Sequence, residues 1–252
     1  MPHLLQAPHA TAVDKALDVL FYLHEEREPR ALGEIGRALS LPKSTTHRLL
    51  AALRRRALVE KDEGGRYQPG LGVLALAGSL LDRDPLVAAA HPILTQEAAR
   101  LGETCFLVAA RGGRLLVLEK AEGTGVLRVS PPIGSEIPAR ATAVGKVYLA
   151  HAPHLLAPEE ATRYTERTIV DAERLAAEIA CARARGYALN QEEWIEGLGV
   201  VAAPILAGGS IAGAVCTAMS SNRFEAIDVD AVGRSLIAAA GRIATRMEGS
   251  AT

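Results

Sequence analysis

The chain has 252 residues, enough for two domains of ordinary size, and its 49% hydrophobic content excludes an intrinsically disordered protein. A formal net charge of −1 excludes binding to polyanions through overall charge alone. The three scattered cysteines fit no zinc spacing, and neither a signal peptide nor a membrane-spanning apolar run is visible, so we expect a cytoplasmic protein with reduced thiols, no metal, no cofactor and no membrane contact.

The first predicted elements are two helices. Residues 13 to about 26 have the apolar pattern of a helix that ends before Pro29. In the next segment Leu32, Ile35 and Leu39 are spaced i, i+3 and i+7, which predicts one buried helical face. Pro42 pushes the residue before it out of the helical region and therefore ends this second helix.

A third helix follows the turn at Pro42. Leu49, Leu50 and Leu53 form its predicted apolar stripe, and the segment 43–56 contains basic residues but no carboxylate. Ser44 or the preceding turn is expected to cap it. The residues near its N-terminus are those predicted to meet base edges and phosphates: Lys43, Ser44, Thr45, Thr46, His47 and Arg48.

A charged hairpin is predicted over residues 58–70. Near its end, Arg66 suits a phosphate contact and Tyr67 a sugar or apolar contact. The order helix, turn, helix and hairpin is typical of a winged helix-turn-helix that reads a DNA duplex. The alternative is an ordinary solvated basic face. Between residues 30 and 66, however, nine Lys and Arg face four Asp and Glu, so the excess positive charge is local to this module.

A further helical stretch, residues 71–84, is predicted to connect two domains. Leu71, Leu74, Ala75 and Gly78 lie on one stripe, and Pro85 ends the helix. Because this apolar face is too wide for a free linker, we expect it to pack against a partner subunit.

The second half of the chain predicts helices on an antiparallel sheet, an α+β class. In chain order the pattern indicates a helix at 85–102, a hairpin of strands 104–111 and 114–122, a third strand at 126–130, a loop entering a short helix near 141–151, helices at 158–167 and 171–186, a strand at 187–193, two strands within 200–219 around a Gly-Gly turn, and a helix from about 225 to 247.

Five segments together resemble the IclR-type (isocitrate lyase regulator-like) bacterial transcription factors over nearly the whole chain. They are VDKALDVL, LGEIGRALSLPKSTTHRLLAAL, GRYQPG, IPARATAVGKVYLA and RGYALNQEEWIEGLGVVAAPI. The resemblance implies a winged helix-turn-helix in residues 1–70, a linker helix in 71–84 and a GAF-like effector-binding domain in 85–252. It also implies a homodimer or a dimer of dimers that binds a double-stranded DNA operator and responds to a small organic acid.

The resemblance further implies an effector site between the sheet and its covering segments. Its expected contact residues are Ala143, Val144, Asn190, Val200, Cys216 and Ala218. Relatives that bind small oxo-acids typically have serines in the last of these segments and an aspartate in the middle one. Because Cys216, Ala218 and Asn190 stand there instead, a larger or less polar effector, such as an aromatic or branched acid, is a hypothesis. The alternatives are a core role for Cys216 and a turn role for Asn190.

Three further patterns do not support a nucleotide, metal or acid–base site. Lys146 follows a glycine but is not followed by Ser or Thr, so the phosphate-loop spacing is absent. His151 and His154 are expected in a solvated loop rather than in a metal site. Glu192 and Glu193 are adjacent and are expected on a solvated face or loop.

The sequence therefore predicts a ligand-responsive DNA-binding regulator, a repressor, rather than an enzyme. The alternative is an enzymatic C-terminal domain with an accessory docking module, against which no Ser-His-Asp, HExxH or GxSxG pattern appears and no catalytic residue is assigned. A third possibility is an architectural DNA-binding protein without an effector.

Overall fold

The structure, a computed structural model, describes residues 11–26, 28–81, 83–125, 129 and 131–249, without the side chains of 79–81. The described residues up to Leu80 form one compact unit and those from Leu81 another. This division falls inside the predicted connecting segment. None of the described helices has the length and apolar character needed to cross a membrane.

The first unit consists of helices followed by a hairpin and a further helix. Its elements are α1 (Ala12–Glu25), α2 (Leu32–Ala38), α3 (Lys43–Arg55), β1 (Val59–Lys61), β2 (Tyr67–Pro69) and α4 (Leu71–Leu81). Thr11 and Asp14 cap α1 reciprocally: the Asp14 N–H donates to Thr11 Oγ1 (3.2 Å), and the Thr11 N–H donates to Asp14 Oδ2 (2.7 Å). Two capping partners thus fix the start of the first helix.

One small core holds this unit together. Its buried side chains are Val19, Leu23, Ile35, Leu49, Leu50, Leu53, Val59 and Tyr67. The predicted apolar stripes of α2 and α3 both contribute to this set. The predicted hairpin is present as well, with β1 antiparallel to β2. It is tied to the segment before α2 because Arg30 and Tyr67 exchange both backbone hydrogen bonds, at 2.7 and 2.8 Å.

The second unit is an antiparallel sheet with helices on both faces, so the predicted α+β class is confirmed. Its elements are α5 (Pro85–Leu101), β3 (Thr104–Arg111), β4 (Arg114–Ala121), β5 (Glu136–Ile137), α6 (Ala143–His151), α7 (Ala172–Arg185), β6 (Ala188–Gln191), β7 (Leu198–Ala207), β8 (Ser210–Ser220), α8 (Ser221–Ala226) and α9 (Val229–Gly249). The strand order is β5-β4-β3-β8-β7-β6.

The two faces of this sheet build two separate cores. On one face α5 and α9 pack against side chains such as Leu107, Val215 and Met219. On the other face α6 packs against Phe106, Cys216 and Ala218. Successive residues of a strand point to opposite faces, so β3 and β8 each contribute to both cores.

Three predictions for this unit need comment. The helix predicted at 158–167 is wrong: this segment is irregular, because the hydroxyls of Thr165 and Thr168 donate to the carbonyls of Glu192 and Glu193 (both 2.6 Å) and hold the chain against a distant loop. The strand predicted at 126–130 lies outside the described residues, except for residue 129, which is not in a strand. The single C-terminal helix is two helices, α8 and α9, and Asp228 accepts the Ala231 N–H (2.9 Å) at the start of the second.

Candidate functional site

The N-terminal half of α3 presents a cationic face to solvent. Lys43, Ser44, His47 and Arg48 are exposed and, with Leu32, line an open groove of about 660 Å³. Thr45 is partly buried beside them. Four of the predicted DNA-facing residues therefore lie on one surface.

The backbone adds to this positive character. Pro42, rather than Ser44, is the N-cap of α3 and supplies no side-chain acceptor to the first amides of the helix. Amides without partners and the positive end of the helix dipole favour a phosphate at this end. Exposed Arg54 and Arg55 extend the positive charge to the last turn of α3.

Thr46 is a correction to the predicted DNA-facing set. Its side chain is 0% exposed, and its hydroxyl donates to the Pro42 carbonyl (3.1 Å). A methyl group built at Gly36 would lie only 3.1 Å from Thr46 Oγ1, so α2 and α3 approach each other closely here. Thr46 therefore stabilises the turn between the helices and is not available to a base.

Tyr67 is a second correction, whereas Arg66 remains a candidate. The Tyr67 side chain is 5% exposed and belongs to the core of the first unit, with Lys61 Nζ 5.5 Å from its ring centroid. Arg66 is exposed at the end of the hairpin turn, where its guanidinium donates to the Pro29 carbonyl (3.3 Å). Of this pair, only Arg66 is exposed and can reach a phosphate.

In the second unit, the segments named by the resemblance meet on the α6 face of the sheet. Asn190 is the register partner of Val200, and Val200 is the register partner of Ala218. Cys216 lies one row further along, and Ala143 and Val144 of α6 belong to the same core. Since all of these residues lie in or beside one core, the structure brings the predicted effector set together.

Asn190 is not the turn residue that the alternative interpretation required. It lies in β6, it is 2% exposed, and its amide donates to the Ala141 carbonyl (2.5 Å) just before α6. Its other polar atom, Oδ1, is buried without a partner. Val200, although flanked by strands on both sides, is partly exposed. A partly exposed Val200 is therefore the register partner of a residue with a buried acceptor that has no partner.

The buried thiols have no nucleophilic character. Cys216 is 2% exposed, its Sγ lies 3.7 Å from the Phe106 carbonyl, and burial raises the pKa of its thiol far above the ordinary value. Burial likewise raises the pKa of Cys105 to about 12. The Cys216 thiol is thus a neutral, weakly polar group within the core. Within the described residues, no group of three His, Cys, Asp or Glu side chains could hold a metal ion.

A buried ion pair beside this site was not predicted. Lys146 of α6 is 1% exposed, and its ammonium lies 2.6 Å from Glu193 Oε1 and 3.0 Å from the Leu189 carbonyl. The expectation that Glu193 lies on a solvated face is therefore wrong. Burial raises the pKa of Glu193, against the opposing effect of the Lys146 charge. The pair ties α6 to the loop that carries Trp194.

Both units match models of known protein families. The model for the IclR helix-turn-helix domain matches residues 12–63. The model for the bacterial transcriptional regulator IclR C-terminal region matches residues 78–245.

Individual proteins are similar over most of their length. The probable transcriptional regulator SauR of Cupriavidus necator is 35% identical over 204 residues, covering 79% of this chain and 81% of that protein. The transcriptional repressor IclR of Escherichia coli is 30% identical over 206 residues, covering 77% and 74%. The crystal structure of an IclR homolog from Microbacterium hydrocarbonoxydans in complex with 4-hydroxybenzoate has a TM-score of 0.83 at 23% identity, covering 95% of this chain and 100% of that one, and so shares the fold.

Proposed function

Because the chain belongs to the IclR family of bacterial transcriptional regulators, we propose that it is a repressor that binds a double-stranded DNA operator and responds to a small organic acid. The relatives named above are regulators and repressors, so the chain is a transcriptional regulator and not an enzyme. The observation that carries the proposal is the exposed cationic face of α3 beside a hairpin, in a unit separate from the sheet. A protein that binds an operator acts at the chromosome, which places it in the cytoplasm.

On DNA, α3 enters the major groove and the hairpin contacts the backbone beside it. The exposed positions Lys43, Ser44, His47 and Arg48, with partly buried Thr45, are the proposed groove residues. Arg48 is the strongest candidate for a base contact, because a guanidinium can bind guanine with two hydrogen bonds. Arg66 is the proposed phosphate contact.

The active form is a homodimer, which itself can pair into a dimer of dimers. Val13, Leu17 and Phe21 form an apolar stripe on α1 and are 67%, 46% and 58% exposed. Leu71 and Leu74 of α4 are 75% and 68% exposed. Apolar stripes of this kind in one unit favour association with a second copy. Two copies place two α3 helices in successive major grooves, about 34 Å apart.

The effector is proposed to bind on the α6 face of the sheet, where Ala143, Val144, Asn190, Val200, Cys216 and Ala218 meet. Cys216 and Ala218 offer no hydroxyl donor, which favours an aromatic or branched acid over pyruvate or glyoxylate. The complex of the Microbacterium homolog with 4-hydroxybenzoate supports this class of ligand. A coupling of about 1–3 kcal/mol between the two sites would change operator affinity about 5–150-fold.

Footprinting tests the proposal directly. The purified full-length protein should protect two half-sites, about one helical turn apart, upstream of its own gene or of its neighbours. The Leu17→Glu variant should sediment as a smaller species and lose the paired protection. Uniform protection along the duplex would refute operator recognition. A Leu17→Glu variant with unchanged mass in solution would refute the proposed interface.

A further inference from the structure

One row of side chains crosses four neighbouring strands on the α6 face of the sheet. Thr104 of β3 is the register partner of Ala218, Ala218 of Val200, and Val200 of Asn190. Directly opposed residues of antiparallel strands project from the same face. Thr104 therefore faces the core that contains Ala218 and α6, although the family resemblance did not point to it.

The two ends of this row share one property. Thr104 is 1% exposed and Asn190 is 2% exposed, yet Thr104 Oγ1 and Asn190 Oδ1 are both buried without a hydrogen-bond partner. Buried polar atoms are ordinarily paired, because burying one without a partner loses its hydrogen bonds to water without replacement. Two such atoms at the ends of one row indicate a place built to receive a polar molecule.

The middle of the row is short and apolar. Ala218 and Val200 lie between the polar ends, and the facing residues of α6, Ala143 and Val144, are also small. Val200 is partly exposed although strands flank it on both sides. The apolar middle of the row, at Val200, is therefore its partly accessible part.

We infer that Thr104 is a second polar contact for the effector, opposite Asn190. This inference rests on the proposed sensor function and narrows the class of effector. Asn190 Oδ1 can only accept, since its amide nitrogen is committed to Ala141, so the ligand brings a hydroxyl or N–H donor to that end. The Thr104 hydroxyl donates to an acceptor, such as a carboxylate, at the other end.

The length of the row sets the length of the ligand. Strands are about 4.8 Å apart, so the end Cα atoms are separated by about 14 Å along the sheet. When the reach of the two end side chains and of one hydrogen bond at each end is subtracted, the two polar atoms of the ligand should be roughly 6–8 Å apart. A para-hydroxylated aromatic acid has this form, with an apolar ring for Val200 and Ala218. A two- or three-carbon oxo-acid is too short to reach both ends.

The test compares Thr104→Val with Thr217→Val in the full-length protein. Thr217 is also fully buried, but it lies on the opposite face of β8, where its hydroxyl donates to the Thr104 carbonyl (3.1 Å). Both substitutions keep the side-chain shape and remove one hydroxyl. Binding of 4-hydroxybenzoate, benzoate, pyruvate and glyoxylate is measured by calorimetry, and the Tm of each ligand-free variant is recorded.

Thr104→Val should weaken the binding of 4-hydroxybenzoate about fivefold, which is the loss expected for one hydrogen bond. Its Tm should be unchanged or higher. Thr217→Val should bind as the wild type does but with a lower Tm, and Thr104→Ser should restore wild-type affinity. If Thr104→Val binds normally, or loses Tm as Thr217→Val does, the inference is refuted. Tight binding of pyruvate or glyoxylate in preference to 4-hydroxybenzoate refutes it while the sensor function stands. If none of the four acids binds the wild type, the inference is refuted, because the row then receives no para-hydroxylated aromatic acid.

Discussion

Replacing Lys146 with methionine tests whether the buried pair with Glu193 stabilises the second unit next to the proposed effector site. The ammonium is 1% exposed and bonds both Glu193 Oε1 (2.6 Å) and the Leu189 carbonyl (3.0 Å). Methionine keeps a similar volume but leaves a 7% exposed carboxylate without its cation. Removing one partner of a buried pair costs about 3–5 kcal/mol, whereas loss of an exposed pair costs about 0–1 kcal/mol.

The same variant has a predicted pH dependence. Burial already raises the pKa of Glu193 above its ordinary value of 4.5, and removing the Lys146 charge raises it further. A carboxyl whose folded pKa lies above its unfolded pKa binds its proton more tightly when folded. Its contribution to stability is therefore present below 4.5 and lost as pH rises through the folded pKa. Lys146→Met should accordingly be less destabilised in mildly acidic solution than at neutral pH.

Urea denaturation followed by tryptophan fluorescence is the assay. Trp194 is the only tryptophan in the chain and lies in the loop next to Glu193, so its signal reports on the second unit. The double variant Lys146→Met/Glu193→Leu should recover most of the loss, because apolar replacement of a whole buried pair is often neutral or stabilising. Arg114→Ala, in an exposed pair with Glu136, is the control and should change stability by less than about 1 kcal/mol. A stabilising role of the pair is excluded if Lys146→Met loses less than about 1 kcal/mol, or if the double variant loses as much stability as the two single variants together.

Four further predictions concern DNA and effector binding. Arg48→Ala should cost about 1–3 kcal/mol in operator binding and relax sequence preference; an equal loss on all duplexes would contradict a base contact. Arg66→Ala should weaken all sequences alike and lower the slope of log affinity against log salt by about one, and an unchanged slope would exclude the phosphate contact. Thr46→Ala should lower the Tm of the first unit without changing which bases are preferred, in contrast to Arg48→Ala. Cys216→Ser combined with Ala218→Ser should shift preference towards pyruvate or glyoxylate in calorimetry, and an unchanged order of affinities would remove these positions from the site.

The spacing of apolar residues predicts the helices and the hairpin of the first unit. The same spacing also indicates that Thr46 is buried, which the prediction of a DNA-facing Thr46 did not use. Thr46, Leu49, Leu50 and Leu53 are spaced i, i+3, i+4 and i+7, which places Thr46 on the buried face of α3. The polarity of threonine suggested an exposed role instead. The close approach of Gly36, a tertiary contact, confirms the buried role.

Most of the remaining differences depend on contacts between residues distant in sequence. Tyr67 is buried because its backbone pairs with Arg30, far earlier in the chain. Glu193 is buried because Lys146 of another helix reaches it. The segment 158–167 has helical composition, but tertiary hydrogen bonds from Thr165 and Thr168 hold it in an irregular form. Single-chain periodicity carries no information about such pairs.

The family resemblance supplied the effector segments, and the register of the sheet then related them to one another. Asn190, Val200 and Ala218 are far apart in sequence, yet they are consecutive members of one cross-strand row. Thr104 joins that row only through its pairing with Ala218. Strand order and register therefore add a residue that neither composition nor motif pointed to.

The central claim is that α3 recognises a specific DNA sequence and that a small acid changes this recognition. Fluorescence anisotropy at about 0.15 M salt, with the duplex upstream of the gene and a shuffled duplex of equal composition, measures it most directly. We expect a preference of about a thousandfold or more for the upstream duplex, and a change of about 5–150-fold in its affinity when an effector acid such as 4-hydroxybenzoate is added. Equal affinity for the two duplexes, with and without acids, would contradict it.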